Sequence, residues 1–343
     1  MKEDFKKIIS HFKTAKILVV GDLMLDEFIY GEVERISPEA PVPVVAARKR
    51  RYMPGGACNV ASNIASLGAK VSLVGVVGND SNGLQLISEL KARKIQTQGI
   101  FRDKHRHTIL KTRIIGGHQQ VVRVDWEDTD LIKGLLSKKM AGFISDELKN
   151  FDCLIIEDYG KGVITKELLA SICFANKQNK IITVDPKEDH FSMYRALKIT
   201  AITPNRKETE NAIRNIKISD SNNKLKIYQD RLVTSNDIDL AAAELLKYLG
   251  AKAVLITLGE AGMRLFEARK KPFHIDTVAQ EVFDVSGAGD TVVATFTLAL
   301  AVGAGFQKAA VISNFAAGIV VGKIGVATVS PQELLNSIAL KYR

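Results

Sequence analysis

Cysteine is scarce in this sequence: three in 343 residues, Cys58, Cys153 and Cys173, with no CxxC pair and no Cys/His ligand spacing. An odd, irregularly spaced set argues against a disulfide framework or a zinc site and fits reduced thiols in a cytoplasmic protein. Aromatic residues make up only 6%, so the core has to be aliphatic, which suits a parallel sheet covered on both faces. No apolar run approaches the length that spans a bilayer. The first residues, MKEDFKKIISHFKTAK, are basic and amphipathic. They pass directly into the strand ILVV without the apolar stretch and cleavage site of a signal peptide. A soluble, cytoplasmic protein with no membrane partner is expected.

Several motifs are missing as well. There is no GxxxxGK[ST] loop and neither the HRD nor the DFG of protein kinases, which removes P-loop and protein-kinase chemistry. After the first strand stands Gly21-Asp22-Leu23 rather than GxGxxG. An acid there would repel a pyrophosphate, so a nicotinamide-dependent oxidoreductase is not expected. Positive charge is in surplus, with 48 Lys+Arg against 38 Asp+Glu and a net charge of +10. It is spread along the chain. The dense run is Arg48 to Arg51, with a looser group at Lys104, His105, Arg106 and His107, and no nucleic-acid-binding signature accompanies either. A solvated edge, or attraction of an anionic small substrate, explains the balance without a nucleic-acid partner.

What is present is an α/β alternation. Short continuous apolar runs, KILVVGD, VSLVGVVG, CLIIEDYG, IITVDP, ITAITPN and AVLITLG, read as strands with both faces covered. Helical patterns lie between several of them, at 58–67, 81–94, 129–149, 165–178 and 235–248, and the chain from about 287 onward is mostly helical. The pattern predicts a doubly wound, mostly parallel sheet with helices on both faces. Asp22, Asp158, Asp185 and Asn205 fall just past strands, at the edge where ligands bind in open α/β sheets. Residues 27–53 and 107–126 depart from this pattern. The first stretch alternates and is proline-rich; the second reads as a hairpin turning around Gly116-Gly117. Together they predict a small β-sheet lid, serving as a cover for the substrate or as a dimer surface, with Arg48 to Arg51 discouraging open-ended pairing at its edge. Residues 215–235 read as a polar loop insertion. No flexible joint divides residues 1–343, so one domain is expected.

The chemistry concentrates in Asp284-Val285-Ser286-Gly287-Ala288-Gly289-Asp290, which opens a long apolar helix. Small residues at a helix N-terminus leave amides bare, and the helix dipole adds positive potential, as phosphoryl transfer requires. Asp290 in the first turn is placed to accept the proton of an attacking hydroxyl. A glycine-rich turn with an acidic cap is the plainer alternative. Gly55-Gly56-Ala57-Cys58-Asn59 opens another helix and allows close ligand approach, or is simply a turn. Asp26 is a candidate acceptor for sugar hydroxyls or a solvated loop acid. Asn205 and Glu208, three apart, are suited to a hydrated Mg²⁺ and its phosphates or to an ordinary N-cap with a first-turn acid. Thr257-Leu258-Gly259-Glu260-Ala261-Gly262 closes a strand with a phosphate-sized turn.

GG-x-x-N near the front and D-x-[ST]-G-A-G-D near the end resemble the two signatures of the ribokinase (PfkB) family of carbohydrate kinases, over roughly residues 16–335. GDLMLDEFIYG, RISPEAPVPVV, PGGACNVASNIASLGA and QQVVRVDWED are similar to one branch of it, the heptose-7-phosphate kinases that form the kinase part of a bifunctional heptose kinase/ADP-heptose synthase. The resemblance implies a ribokinase-like fold and an ATP- and Mg²⁺-dependent sugar kinase. Asp290 would be the base, with Gly287, Ala288 and Gly289 as the anion hole. Asp26, Gly55, Gly56 and Asn59 would face the sugar. Asn205 and Glu208 would serve the phosphates, with Glu208 holding Mg²⁺ through water. Thr257, Gly259 and Gly262 would line the nucleotide, with Asn314 near its base. Asp284 and Ser286 match positions that hold a monovalent cation, K⁺, in several relatives. The lid matches a β-clasp through which several members form homodimers.

The implied reaction is phosphorylation of D-glycero-D-manno-heptose 7-phosphate at the anomeric hydroxyl to the 1,7-bisphosphate, a step toward ADP-heptose and the lipopolysaccharide core. Arg113, Arg123, Lys161 and Lys187 are candidates to hold the 7-phosphate, each with an ordinary surface cation as the alternative. The HxGH motif of the branch's nucleotidyltransferase domain does not occur in this sequence, so no such domain is expected here and the chain is either a stand-alone kinase or truncated. Rival readings are a kinase for another sugar or sugar phosphate, a non-catalytic sugar- or nucleotide-binding regulator, and a nucleic-acid binder. Asp290 disfavours the regulator, since a binding module needs no base there.

Overall fold

A computed structural model describes residues 2–117, 119–219, 231–279 and 281–341. The chain starts with α1 (Lys2–His11), β1 (Lys16–Gly21), β2 (Leu23–Ile36), β3 (Pro43–Gly56) and α2 (Ala57–Ser66). Then come β4 (Lys70–Gly78), α3 (Ser81–Ala92), β5 (Gln96–Asp103), β6 (Ile109–Gly116), β7 (Gln119–Trp126) and α4 (Gly134–Glu147). The middle holds β8 (Cys153–Glu157), α5 (Lys166–Ala175), β9 (Ile181–Asp185), α6 (Phe191–Tyr194), β10 (Ala201–Ile202) and α7 (Arg206–Ser219). The last part holds α8 (Ser235–Leu249), β11 (Ala253–Thr257), β12 (Met263–Glu267), β13 (Phe273–Ile275), α9 (Ala288–Ala301), α10 (Phe306–Val321) and α11 (Pro331–Lys341).

Among the described residues, nine strands form one sheet in the order β13-β12-β11-β10-β9-β8-β1-β4-β5. The seven from β11 to β5 run parallel, and β12 and β13 close one edge antiparallel. Successive side chains of a strand point to opposite faces, and the core divides accordingly. Ile17 and Val19 of β1 join Cys153 and Ile155 of β8 in a core shared with α2, α9 and α10. Leu18, Val20, Leu154 and Ile156 enter a second core with α4, α5 and α8. Each such residue contributes roughly 1.5–3 kcal/mol by leaving water, and both faces of the sheet are covered as the apolar runs predict. The strand order reverses between β1 and β8, which makes the crevice at their carboxyl ends the expected ligand site.

The second sheet has the order β3-β2-β6-β7 and is the small β-sheet predicted at 27–53 and 107–126, called the lid below. Its strands reach further toward the body, because Leu23, Met24 and Leu25 root β2 in buried surroundings. Its register separates two faces. Asp26, Lys111 and Asp125 lie side by side, as do Phe28, Arg113 and Arg123, on one charged face. On the other face Ile29, Ile114 and Val122 form a row, with Val124 and Trp126 further along β7. Val122, Val124 and Trp126 are exposed, Trp126 by 60%.

Some boundaries differ from the sequence pattern. The helix predicted at 129–149 starts only at Gly134, whose φ of +64° breaks helical continuity with the preceding residues. Ile132 instead donates its N–H to Gly162 O (2.9 Å). Of the predicted strand ITAITPN only Ala201–Ile202 pairs as a strand. Of the loop expected at 215–235, the first residues continue α7 to Ser219, and 220–230 lie outside the described residues. α8 begins on a capping box between Thr234 and Asp237 and ends on Gly250 in the left-handed region, as its sequence dictates.

Candidate active site

α9 is apolar on every side, and from Asp290 to Leu300 it is buried throughout. A helix of that kind runs through the core of a domain, so its N-terminus opens at the carboxyl edge of the sheet, beside the ends of β8 and β9. Gly287 caps it with φ +78°, a conformation glycine adopts without strain. A Cβ there would come within 2.5 Å of Asn59 Nδ2. That close approach lets Asn59 donate to Asp290 Oδ2 at 2.7 Å, while the Tyr159 hydroxyl donates to Oδ1 at 2.7 Å. Burial pushes Asp290 up to about 6, partly offset by these two hydrogen bonds. A carboxylate near that value is ionised at neutral pH yet basic enough to take a proton. Tyr159 is a site residue that sequence reasoning missed; only its place after a strand end marked it.

Gly287, Ala288 and Gly289 do not contribute equally. Ala288 spends its N–H on Val285 O (3.2 Å), so the anion-facing part of the turn lies toward Gly289. Gly289 sits where two cavities meet. One, of about 340 Å³, is lined by Asp185, Lys187, Asn205, Glu208, Gly287 and Asp290 among others. The second, of about 480 Å³, is mainly apolar, with Met263, Val285, Val292, Ala317 and Val321 beside Gly259, Gly262 and Asn314. Thr257 and Gly289 line both. A charged cleft joined to an apolar cavity at a helix N-terminus suits a phosphorylated molecule with a flat, weakly polar end. Asn314 donates to Asp276 O (2.8 Å) at the apolar wall.

The charged cleft is rich in acid. Glu157, Asp185 and Asp290 offer carboxylate oxygens within 4.8 Å of one another. Glu157 is fully buried and neither of its oxygens meets an N–H or O–H donor. Burial and the adjacent Asp185 and Asp290 raise it well above the usual carboxylate range. Asp185 is raised by burial and by the Glu208 charge, although Thr203 donates to it at 2.7 Å. Asn205 and Glu208 cap the start of α7 reciprocally, Glu208 N–H to Asn205 Oδ1 (2.9 Å) and Asn205 N–H to Glu208 Oε2 (2.8 Å). The N-cap alternative is thus realised, and both residues still line the cleft. Unpartnered buried oxygen and a wall of carboxylates match the hard oxygen chemistry of Mg²⁺.

At the lid side Asp26 is 4% exposed and ion-paired with Arg113. Burial raises its carboxyl, and the Arg113 charge acts against that. A Cβ on Gly55 would overlap Asp26 Oδ2, so the paired glycines make room for this acid; Gly56 itself takes φ +55° at the head of α2. Lys161 pairs with Glu127 (2.6 Å), Lys111 bridges Asp125 and Glu127, and Arg123 lies alongside Asp125 (2.9 Å). Lys111 went unremarked in the sequence, for its role depends on register. Lys187 lines the charged cleft, its stem over Gly160 and its ammonium 3.4 Å from Glu188. Asp284 accepts the N–H groups of Ser286 (2.9 Å) and Gly325 (3.1 Å), which closes the turn ahead of Asp290. Of Asp22 and Asp158, both expected at the ligand edge, Asp158 lines the charged cleft while Asp22 is turned wholly to the protein. Asp22 accepts three loop amides, while Asp158 meets Gly160 N–H, Tyr194 and His190.

Residues 14–333 match the sequence profile of the pfkB family of carbohydrate kinases. The chain is 42% identical over 342 residues to the bifunctional protein HldE of Geobacter metallireducens, covering 99% of this chain and 66% of that one. The HldE of Desulfatibacillum aliphaticivorans is 43% identical over 329 residues, 95% of this chain and 63% of its own. The chain therefore spans about two thirds of the length of these relatives. Its fold is that of Escherichia coli phosphofructokinase-2 in complex with substrates and products (TM-score 0.74, 20% identity, 96% and 100% of the two chains). It is equally that of Arabidopsis thaliana ribokinase complexed with ribose and ATP (TM-score 0.70, 18% identity, 94% and 98%). No helix among the described residues is long and apolar enough to cross a membrane. Identity at the level of the HldE proteins, sustained across nearly the whole chain on a ribokinase-like fold, makes this chain a member of the pfkB carbohydrate kinase family, and hence a phosphotransferase that acts on a sugar.

Proposed function

We propose that the chain transfers the γ-phosphoryl group of ATP to the anomeric hydroxyl of D-glycero-D-manno-heptose 7-phosphate, giving the 1,7-bisphosphate on the route to ADP-heptose and the lipopolysaccharide core. The observation that carries the chemistry is Asp290, buried, with both oxygens held, at the mouth of the α9 N-terminus. Its carboxylate accepts the hydroxyl proton as the sugar oxygen bonds to the γ-phosphorus and the bond to the β,γ-bridging oxygen breaks. The Gly289 end of the turn and the helix dipole stabilise charge on the transferring group. The apolar cavity beside Asn314 takes the adenine end. Glu208 would hold Mg²⁺ through water, with Asp185 beside it; when bound, the ion neutralises phosphate charge. Asp284 and Ser286 are the place a K⁺ ion would occupy.

The choice of a phosphorylated heptose is supported by the likeness to the HldE proteins and by the charged face of the lid. Arg113, Arg123, Lys111 and Lys161 stand there among carboxylates, and a substrate phosphate would draw them from those partners. The opposite, apolar face with Val122, Val124 and Trp126 supports a homodimer formed through the lid. The test is turnover of ATP with a panel of sugars and sugar phosphates. Phosphorylation of heptose 7-phosphate is expected; activity confined to unphosphorylated sugars would overturn the substrate assignment and leave a kinase for another sugar.

A further inference from the structure

The segment after β8 is gripped from two sides. The Asp22 carboxylate, with no exposed surface, accepts the N–H groups of Tyr159 (2.9 Å), Lys161 (3.1 Å) and Val163 (3.2 Å). Asp158 accepts the N–H of Gly160 (2.9 Å) and the Tyr194 hydroxyl (2.6 Å), and lies 2.7 Å from His190 Nδ1. A buried acid costs folding free energy, and burial together with the charge of Asp158 pushes Asp22 up to about 6. Three amides on one carboxylate fix a backbone path more firmly than any single contact. The residue that this path delivers to the cleft is Tyr159, whose hydroxyl donates to Asp290 Oδ1. Burial keeps the phenol protonated, so it is always the donor.

We infer that Asp22 and Tyr159 are positioning residues for the base: Asp22 sets the loop, the loop sets Tyr159, and Tyr159 with Asn59 fixes the plane of the Asp290 carboxylate before substrate arrives. The inference rests on Asp290 being the base. A carboxylate held at both oxygens does not have to be oriented during the reaction, and orientation of that kind acts on kcat rather than on binding. Neither Asp22 nor Tyr159 belongs to the glycine-rich and NxxE elements that mark this site in the sequence.

The experiment is steady-state kinetics of Tyr159→Phe, Asp22→Asn, their double variant and Asp290→Asn. Loss of one hydrogen bond to a charged group is expected to lower kcat of Tyr159→Phe by roughly 10- to 100-fold. KM for ATP and for sugar should stay within about twofold, a split that general loosening of the fold would not give. Asp22→Asn should lower kcat in the same direction, and the double variant should be no slower than Tyr159→Phe alone, because the two act along one path. Parental kcat in Tyr159→Phe, with Asp290→Asn inactive, overturns the positioning role while leaving the base in place. Parental turnover in Asp290→Asn overturns the base itself. Fully additive losses in Tyr159→Phe and Asp22→Asn separate Asp22 from Tyr159 and overturn the path; if Asp22→Asn fails to fold, Tyr159→Phe decides the inference by itself.

Discussion

Asn59 and Asp290, 231 positions apart, meet through a hydrogen bond of 2.7 Å between Nδ2 and Oδ2. One belongs to α2, which follows β3 of the small sheet, the other to α9, which opens on the glycine-rich turn. The contact therefore ties the start of one helix to the start of the other. Asp290→Asn should cut kcat roughly 10²- to 10⁴-fold, the usual worth of a general base, with ATP affinity little changed.

The same substitution has a stability signature. The folded-state value of Asp290 lies near 6, above the carboxylate value of 3.8, so folding favours the protonated form. Stability from this group is complete below the unfolded value and is lost as pH rises through about 6, a difference of about 3 kcal/mol. Melting curves should therefore show Asp290→Asn gaining on the parent between about pH 4 and pH 6 and holding that gain above it. The parent's kcat/KM for sugar should climb through about pH 6 as the proposed base ionises in the folded protein.

Two neighbouring glycines should respond in opposite ways. Gly287→Ala puts a methyl group into a left-handed conformation and against Asn59; it should cost about 1–2 kcal/mol in stability and lower kcat. At Gly289 the nearest atom to an added Cβ is Asp185 Oδ2, at 4.0 Å. Gly289→Ala should keep the melting temperature while raising KM for ATP several-fold, because the methyl group narrows the passage between the cavities. Thermal melts and ATP titrations of both variants distinguish the two effects.

Arg113 is the partner of a nearly inaccessible acid, Asp26. Arg113→Ala should destabilise the protein by about 3–5 kcal/mol by leaving that charge buried and unpaired. Adding Asp26→Asn should recover much of the stability but not sugar affinity. Chemical denaturation and sugar KM, measured on the single and double variants, check both halves.

Val124 lies on the apolar face of the lid and is 39% exposed. Val124→Asp should convert a dimer to monomer in sedimentation velocity, with the melting temperature of the body unchanged. A parent protein that sediments as monomer at every concentration would remove the lid as a dimer surface.

The large sheet was legible because each central strand is a continuous apolar run, and the lid because residues 27–53 and 107–126 break the helical period. β5 (Gln96–Asp103) escaped notice because its half-buried edge position leaves no such run. The glycine turn and Asp290 were visible in a seven-residue span of sequence. Tyr159, Glu157 and Lys111 were not, since each acquires its place from a partner far along the chain: Tyr159 from Asp290, Glu157 from Asp185 beside it on the next strand, Lys111 from the register that sets it opposite Asp125. Asp22 showed the right location and the wrong direction, because strand ends mark the edge of a sheet without saying whether a carboxylate turns outward to ligand or inward to amides.

The chain contains one tryptophan, Trp126, and it sits at the end of β7 on the outer face of the lid. Indole emission from this enzyme thus originates in the small sheet proposed above as substrate cover and dimer surface. The molecule comes with its own optical gauge: colour and intensity of that emission will report lid environment in dilution series and substrate titrations, without any label being attached.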